Sequence, residues 1–496
     1  MKIYIKQISA LLFISLIISC SKEEVCYEAD LVLVNSKIYT ANADQWEAEA
    51  LAILGDKFIF IGSNEDSSAY ACGSNRVLDL KDSFIFPGFI DAHAHLKGIG
   101  YREITLNLQG ADSLKNMLTL VQIHSNKLSD GDWVVGRGWI EKKWPEGRFP
   151  TIEELDAISD KKPIALERAD GHAIIVNSLA LKLAGIDRNT LDPIGGKIDK
   201  DANGEPNGVL IDKASSLVES IIPKRTREEE KRALREGLNR TAKMGWTQLH
   251  DAGSPLSDYE ILNELKKDEG LPVRIQFYVS DGEDGNKFLD EGPYLDPDHY
   301  LTSRGIKFYA DGAIGSRGAA FFDKYDDYET KGFLIFQKEE TMPKLIKALV
   351  NGIQIQTHAI GDLANKITLD WYEEAFNKVS TENRIIENPR WRVEHAQNIK
   401  PEDQKRYSDL KVIASMQPSH AIGDLHFAHK RLGEERLKDA YTWKNLIELG
   451  VVVVGGSDAP VEIGDPRIEF KAAVSRKDLD GFYEDWWNVE EVVSRE

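Results

Sequence analysis

Eight short apolar segments, each running out into a polar residue, recur along this chain: Phe89–His95, Gly245–Asp251, Val273–Phe277, Ile306–Gly312, Ile353–His358, Arg392–His395, Val412–Pro418 and Val451–Asp458. Stretches with helical spacing separate most of them. Consecutive strands joined by helices must run parallel, since a parallel pair needs a long crossover where an antiparallel pair needs only a turn. Eight such units predict an α/β protein built on a (β/α)8, TIM-like barrel. Chemistry in that fold sits where the strands end. His93, His95, Lys307, His358, His395 and Asp458 stand at or near those ends and are expected to meet at one mouth.

The chain has 496 residues, well beyond the roughly 250 a bare barrel needs, so other modules are expected. Residues 29–86 alternate in a strand-like way through Asp30–Val34, Lys37–Thr40, Ala50–Ile53, Phe58–Gly62 and Arg76–Leu80, with turn residues at Gly55–Lys57 and Cys72–Asn75. They predict a small N-terminal β-sandwich module over 20–86, followed by the barrel over 87–496. The connection between the first and second barrel segments far exceeds a normal βα loop, which predicts a folded insertion over about 100–240 that caps the pocket. Within it, the Arg/Glu-rich stretch from Pro223 to Lys243 reads as a barrel helix.

A formal net charge of −20 argues against nucleic acid or an anionic membrane surface as a partner. Lys2 and Lys6 precede an apolar run, Ile8–Ile18, too short to span a bilayer and ending in Ser19-Cys20. This is the pattern of a targeting segment rather than a folded one. Ile17–Cys20 resembles a bacterial lipobox, which implies a signal peptide over 1–19, lipidation at Cys20 and a membrane anchor through the N-terminal lipid. Ser21–Glu24 resembles a tag that carries lipoproteins to the bacterial cell surface. The expectation is thus an exported lipoprotein of the outer membrane or cell surface, with the periplasmic face as the alternative. The two other cysteines, Cys26 and Cys72, form a candidate disulfide in such a compartment; two free thiols are the alternative.

Phe86–Leu96, with His93-Ala94-His95 in its centre, resembles the amidohydrolase superfamily. Lys307–Arg317, Thr357–Asp362, Val393–Gln397 and Gly456–Pro460 narrow the resemblance to its amidohydrolase-3, or YtcJ-like, branch. The resemblance spans Ala29 to the C-terminus. It implies one or two divalent metal ions, zinc foremost, held by His93, His95, Lys307, His358, His395 and Asp458. His93 and His95 would hold the more buried ion, His358 and His395 the more exposed one, and Lys307, carboxylated on its amine, would bridge them. Asp458 would also be the catalytic base; a helix N-cap is its bland alternative. The resemblance further places His172, Arg317 and His420 against substrate, while His250-Asp251 is expected to end the second strand near the mouth. His124, His299, His426 and His429 lack such a context.

Neutral imidazoles suit zinc, which can bring a bound water's pKa from 15.7 to about 7. The implied activity is hydrolysis of an amide-type carbon–nitrogen bond, in an N-acyl or N-formyl small molecule, by metal-activated hydroxide. Esters, lactones and amino groups on heterocyclic bases are alternative targets of the same site, and a catalytically silent ligand-binding lipoprotein is the non-enzyme alternative. Homo-oligomerisation is a further expectation. Members of the branch normally continue past the stretch matching Val489–Glu496 with strands that complete the N-terminal module, so a chain truncated at its C-terminus is expected.

Overall fold

The computed structural model describes residues 25–141, 144–169, 173–193, 196–484 and 487–495. The expected signal segment, Cys20 and His172 lie outside these residues. The chain divides into two compact units, one ending at Pro87 and the other running Gly88–Arg495.

In the N-terminal unit the strand Leu31–Tyr39 pairs antiparallel with Glu47–Ala48 and Ala50–Leu54, and parallel with Val77–Ile85. Lys57–Gly62 extends the sheet beyond Ala50–Leu54. Where two facing layers are expected, the five described strands join one sheet, because every one of them is reached through these ladders. Asp30–Val34 and Lys37–Thr40 read as two strands and are one. The register shifts between Val34 and Ser36, with Asn35 at φ 53°, so a bulge absorbs the break in alternation.

The buried core of this unit is small: Ala29, Val32 and Ala52 form one cluster with Ile59, Phe60 and Tyr70 packed against it, and Ile38, Ala50 and Leu51 are also buried. Cys26 and Cys72 are joined as a disulfide across a sequence separation of 46. A closed loop of that length restricts the unfolded chain enough to stabilise the unit by about 4 kcal/mol. Cys72→Ser should therefore lower the unit's melting temperature under oxidising conditions. An unchanged calorimetric trace would remove the disulfide from the account of its stability.

In the second unit eight parallel strands hydrogen-bond in chain order: Phe89–Ala94, Trp246–Ser254, Arg274–Ser280, Leu301–Tyr309, Gln354–Ala359, Arg392–His395, Ile413–Met416 and Val453–Gly455. Every expected segment is a strand. Ile275, Phe277, Val279, Ile306, Phe308, Ile355 and Val393 join the core shared with the surrounding helices. Strand alternation then leaves Tyr278, Lys307, Gln356, Arg392 and Glu394 for the barrel interior, where all five are buried.

The last strand closes on the first through individual bonds rather than a ladder. Asp458 N donates to His93 O at 2.7 Å and His95 N to Ala459 O at 2.7 Å. Asp91 accepts from Ser457 N at 2.8 Å and from Ser457 Oγ at 2.5 Å. Gly456 permits this approach, since a Cβ there would lie 2.5 Å from His93 N. The closure joins the segments that carry His93, His95 and Asp458.

The insertion folds around its own six-stranded sheet, whose strands run from Leu106–Asn107 to Pro206–Asp212. Neighbouring residues on its strands serve opposite faces: Leu166, Ile175 and Val209 enter one core cluster, Ala165, Ile174 and Leu210 another. The helix Arg227–Met244, opened by a capping box at Thr226 and Glu229, belongs to the barrel as expected. It packs on Leu96–Ile104 so closely that a Cβ on Gly100 would meet Ala233 O at 1.6 Å. The folded insertion therefore begins after that first helix.

Candidate metal centre

His93 lies inside the first barrel strand and His95 just beyond its end, two residues apart and on the same side of the pleat. Asp458 follows the eighth strand. Its Oδ1 lies 3.1 Å from His95 Nε2 and 3.6 Å from His93 Nε2. One ligand atom each from His93, His395 and Asp458 lies within 4.8 Å of the others, and all three residues are buried. This tightest group takes one imidazole from each of the two pairs the sequence assigns to separate ions.

Lys307 is fully buried inside the barrel, with Nζ 3.2 Å from His93 Nε2. Burial pushes its amine down to about 8, against the pull of Glu394 and Asp458. The His358 ring lies 4.4 Å from that of His395, while its Nε2 faces Gly312 O at 3.4 Å and Asp311 Oδ1 at 3.5 Å. The structure thus brings His93, His95, Lys307, His358, His395 and Asp458 to one end of the barrel.

Two of these positions depend on unusual backbone. Strict alternation would send Glu394 and His395 to opposite faces, yet Glu394 bonds His93 and the His395 ring lies 4.8 Å from that of His93. His395 has φ 70°, in the left-handed region, which turns it inward. Asp458 has φ 56° and does not cap a helix. The next helix, Pro466–Ser475, is capped by Asp465.

The electrostatics favour neutral imidazoles around an ionised carboxylate. Burial, with Lys307 nearby, pushes His93 down to about 4 and His358 to about 3, and holds His395 well below the usual range. Burial alone would raise Asp458, but a hydrogen bond from His95 and the closeness of His93, His395 and His420 hold it well below the usual carboxylate range.

His420 belongs to this cluster. Its Nε2 is 3.4 Å from Asp458 Oδ2 and its ring stacks at 5.8 Å on His395. Arg317 instead forms a fork on Asp327 at 3.0 and 2.8 Å, with its guanidinium over Tyr328. His250 departs from its expected place, because the second strand continues to Ser254 and leaves it half-buried within the strand rather than at its end. There Arg392 Nη1 lies 2.9 Å from its Nδ1. The sequence reading missed Arg392 and Glu394. A run Arg-x-Glu-His, two charges alternating on one short strand, was the available signal.

Eight parallel strands with imidazoles and a carboxylate gathered where they end define the class of metal-dependent hydrolases. A profile of the Amidohydrolase family, Amidohydro_3, matches residues 76–496. YtcJ of Bacillus subtilis (strain 168) is 34% identical over 454 residues, covering 89% of this chain and 82% of that protein. The N-substituted formamide deformylase of Arthrobacter pascens is 27% identical over 468 residues, covering 91% of this chain and 84% of the relative. A solved structure of an uncharacterized metal-dependent hydrolase from Pyrococcus horikoshii OT3 superposes with a TM-score of 0.76 at 26% identity, covering 94% of this chain and 90% of the other. The chain belongs to the amidohydrolase family.

Proposed function

We propose that this protein hydrolyses an amide-type carbon–nitrogen bond in a small N-acyl or N-formyl compound. The observation that carries the reading is Asp458: a buried, ionised carboxylate encircled by imidazoles, with Oδ1 toward His93 and His95 and Oδ2 toward His420. The donor set fits zinc, since neutral imidazole nitrogens and a carboxylate oxygen are its usual ligands. His93, His95, His358, His395, Asp458 and Lys307 as a carbamate would hold one or two ions. A divalent cation supplies an acidified water and a polarised carbonyl.

Asp458 is placed to take the proton that the attacking water loses. As the C–N bond breaks, the same carboxyl returns that proton to the departing nitrogen, so the products are a carboxylate and an amine. His420, its buried Nε2 3.4 Å from Asp458 Oδ2 and without a hydrogen-bond partner among the described residues, would donate to substrate. The named activity of the Arthrobacter relative, removal of a formyl group from an N-substituted formamide, supports the choice of bond.

The test is a screen of the zinc-loaded protein against formamides, N-acyl amides, esters, lactones and aminopurines. Release of formate or a carboxylate from the amides, with matching amine, is expected. Turnover confined to esters or lactones, or ammonia from aminopurines alone, would overturn the bond assignment. Less than about a tenth of an equivalent of metal after chelator-free purification, with no turnover of any substrate, would leave a silent binder.

A further inference from the structure

The sixth barrel strand, Arg392–His395, carries two charged side chains that the hydrolytic chemistry does not use. Glu394 is fully buried and hydrogen-bonds Nδ1 of His93. Arg392, 3% exposed, lies on the other side of that carboxylate, with Nε 2.7 Å from Oε1 and Nη2 3.1 Å from Oε2. The same guanidinium donates to Ala92 O at 2.7 Å and to Ser415 Oγ at 2.6 Å, and its Nη1 lies 2.9 Å from His250 Nδ1. Its contacts therefore span the first, second, sixth and seventh strands.

This arrangement determines which nitrogen of His93 is available. A carboxylate already gripped by a guanidinium is only an acceptor, so the proton of the neutral imidazole belongs on Nδ1. The lone pair is then on Nε2, the nitrogen that faces Lys307 Nζ at 3.2 Å and Asp458 Oδ1 at 3.6 Å. Arg392 also holds the carbonyl of the residue before His93, so both the ring and the backbone of this ligand are fixed by one ion pair.

We propose that Arg392 and Glu394 are positioning residues for the metal centre, presenting His93 to the ion through Nε2 in a single tautomer. The inference rests on the reading of His93 as a ligand. Carboxylates that orient ligating histidines typically contribute 10–100-fold in metal affinity.

The experiment measures zinc affinity by competition with a chromophoric chelator, alongside the thermal midpoint of each metal-free protein. Glu394→Gln should bind zinc about 10–100-fold more weakly. Tyr407→Phe, which removes a buried hydrogen bond to Asn365 elsewhere, should lower the midpoint and leave zinc affinity unchanged. Ser415→Ala removes one anchor of Arg392 while keeping every charge, and should give a smaller loss of affinity; it is the fallback should Glu394→Gln not fold. Wild-type affinity in Glu394→Gln, or in Ser415→Ala if only that variant folds, would overturn the proposal and leave the ion pair a packing feature. A wild-type protein that takes up no metal would instead refute the metal reading on which the proposal stands.

Discussion

Asp458→Ala should reduce turnover of a cleaved amide by about 10³-fold, the usual scale for losing a positioned general base and acid. The side chain sits where the strands end, buried, with its two oxygens against His93, His95 and His420. Part of the bound metal should remain, because the four imidazoles of His93, His95, His358 and His395 are untouched. Steady-state rates and metal content measured on the same preparation check both halves. Unchanged turnover would refute the proton-transfer role. Loss of all metal together with all turnover would make Asp458 a ligand whose part in proton transfer must be sought in Asp458→Asn.

Lys307→Met should act in opposite directions on the empty and the loaded protein. The ammonium is fully buried, has no ion-pair partner among the described residues, and is depressed to about 8 by burial. A near-isosteric thioether removes that cost, so the metal-free variant should be more stable than metal-free wild type by about 1–3 kcal/mol. If the amine is a bridging carbamate in the loaded enzyme, the variant should retain less metal and lose at least about 100-fold in turnover, in line with ligand loss. Calorimetry on chelator-treated samples, metal analysis and rates separate the two effects. Full metal content and wild-type turnover in Lys307→Met would exclude the carbamate, and a lower melting point would show that the buried amine is better satisfied than its contacts indicate.

Much of this barrel was legible because its strands announce themselves. A parallel strand covered by helices reads as an apolar run, and Val451–Val454 is the most continuous of these, although Val452 is exposed and Val453 and Val454 are only half-buried. Lys307 and Glu394 show where legibility stops. Both sit one residue from apolar neighbours that face the helices, and alternation alone sends each to the interior. Only the assembled barrel reveals that Lys307 stands beside His93 and that Glu394 bonds the other nitrogen of the same ring. His250 differs from its expected place for a related reason: the apolar run gives out at His250-Asp251, although the strand goes on to Ser254 and sets that histidine beside Arg392 and Gln248. The N-terminal strands were likewise recognisable one by one, but alternation within a strand does not say whether neighbours share one sheet or face each other across two.

The order of apolar runs and the spacing His-x-His by themselves determined that eight parallel strands would form and that ligand-type side chains would end them, since strand periodicity is a local property of the chain. Which side chains meet was decided by tertiary structure alone. His93 lies hundreds of residues from both Glu394 and Asp458, and its contacts with them depend on how the last strand closes on the first and on left-handed turns at His395 and Asp458, features that arise only when the whole barrel is packed.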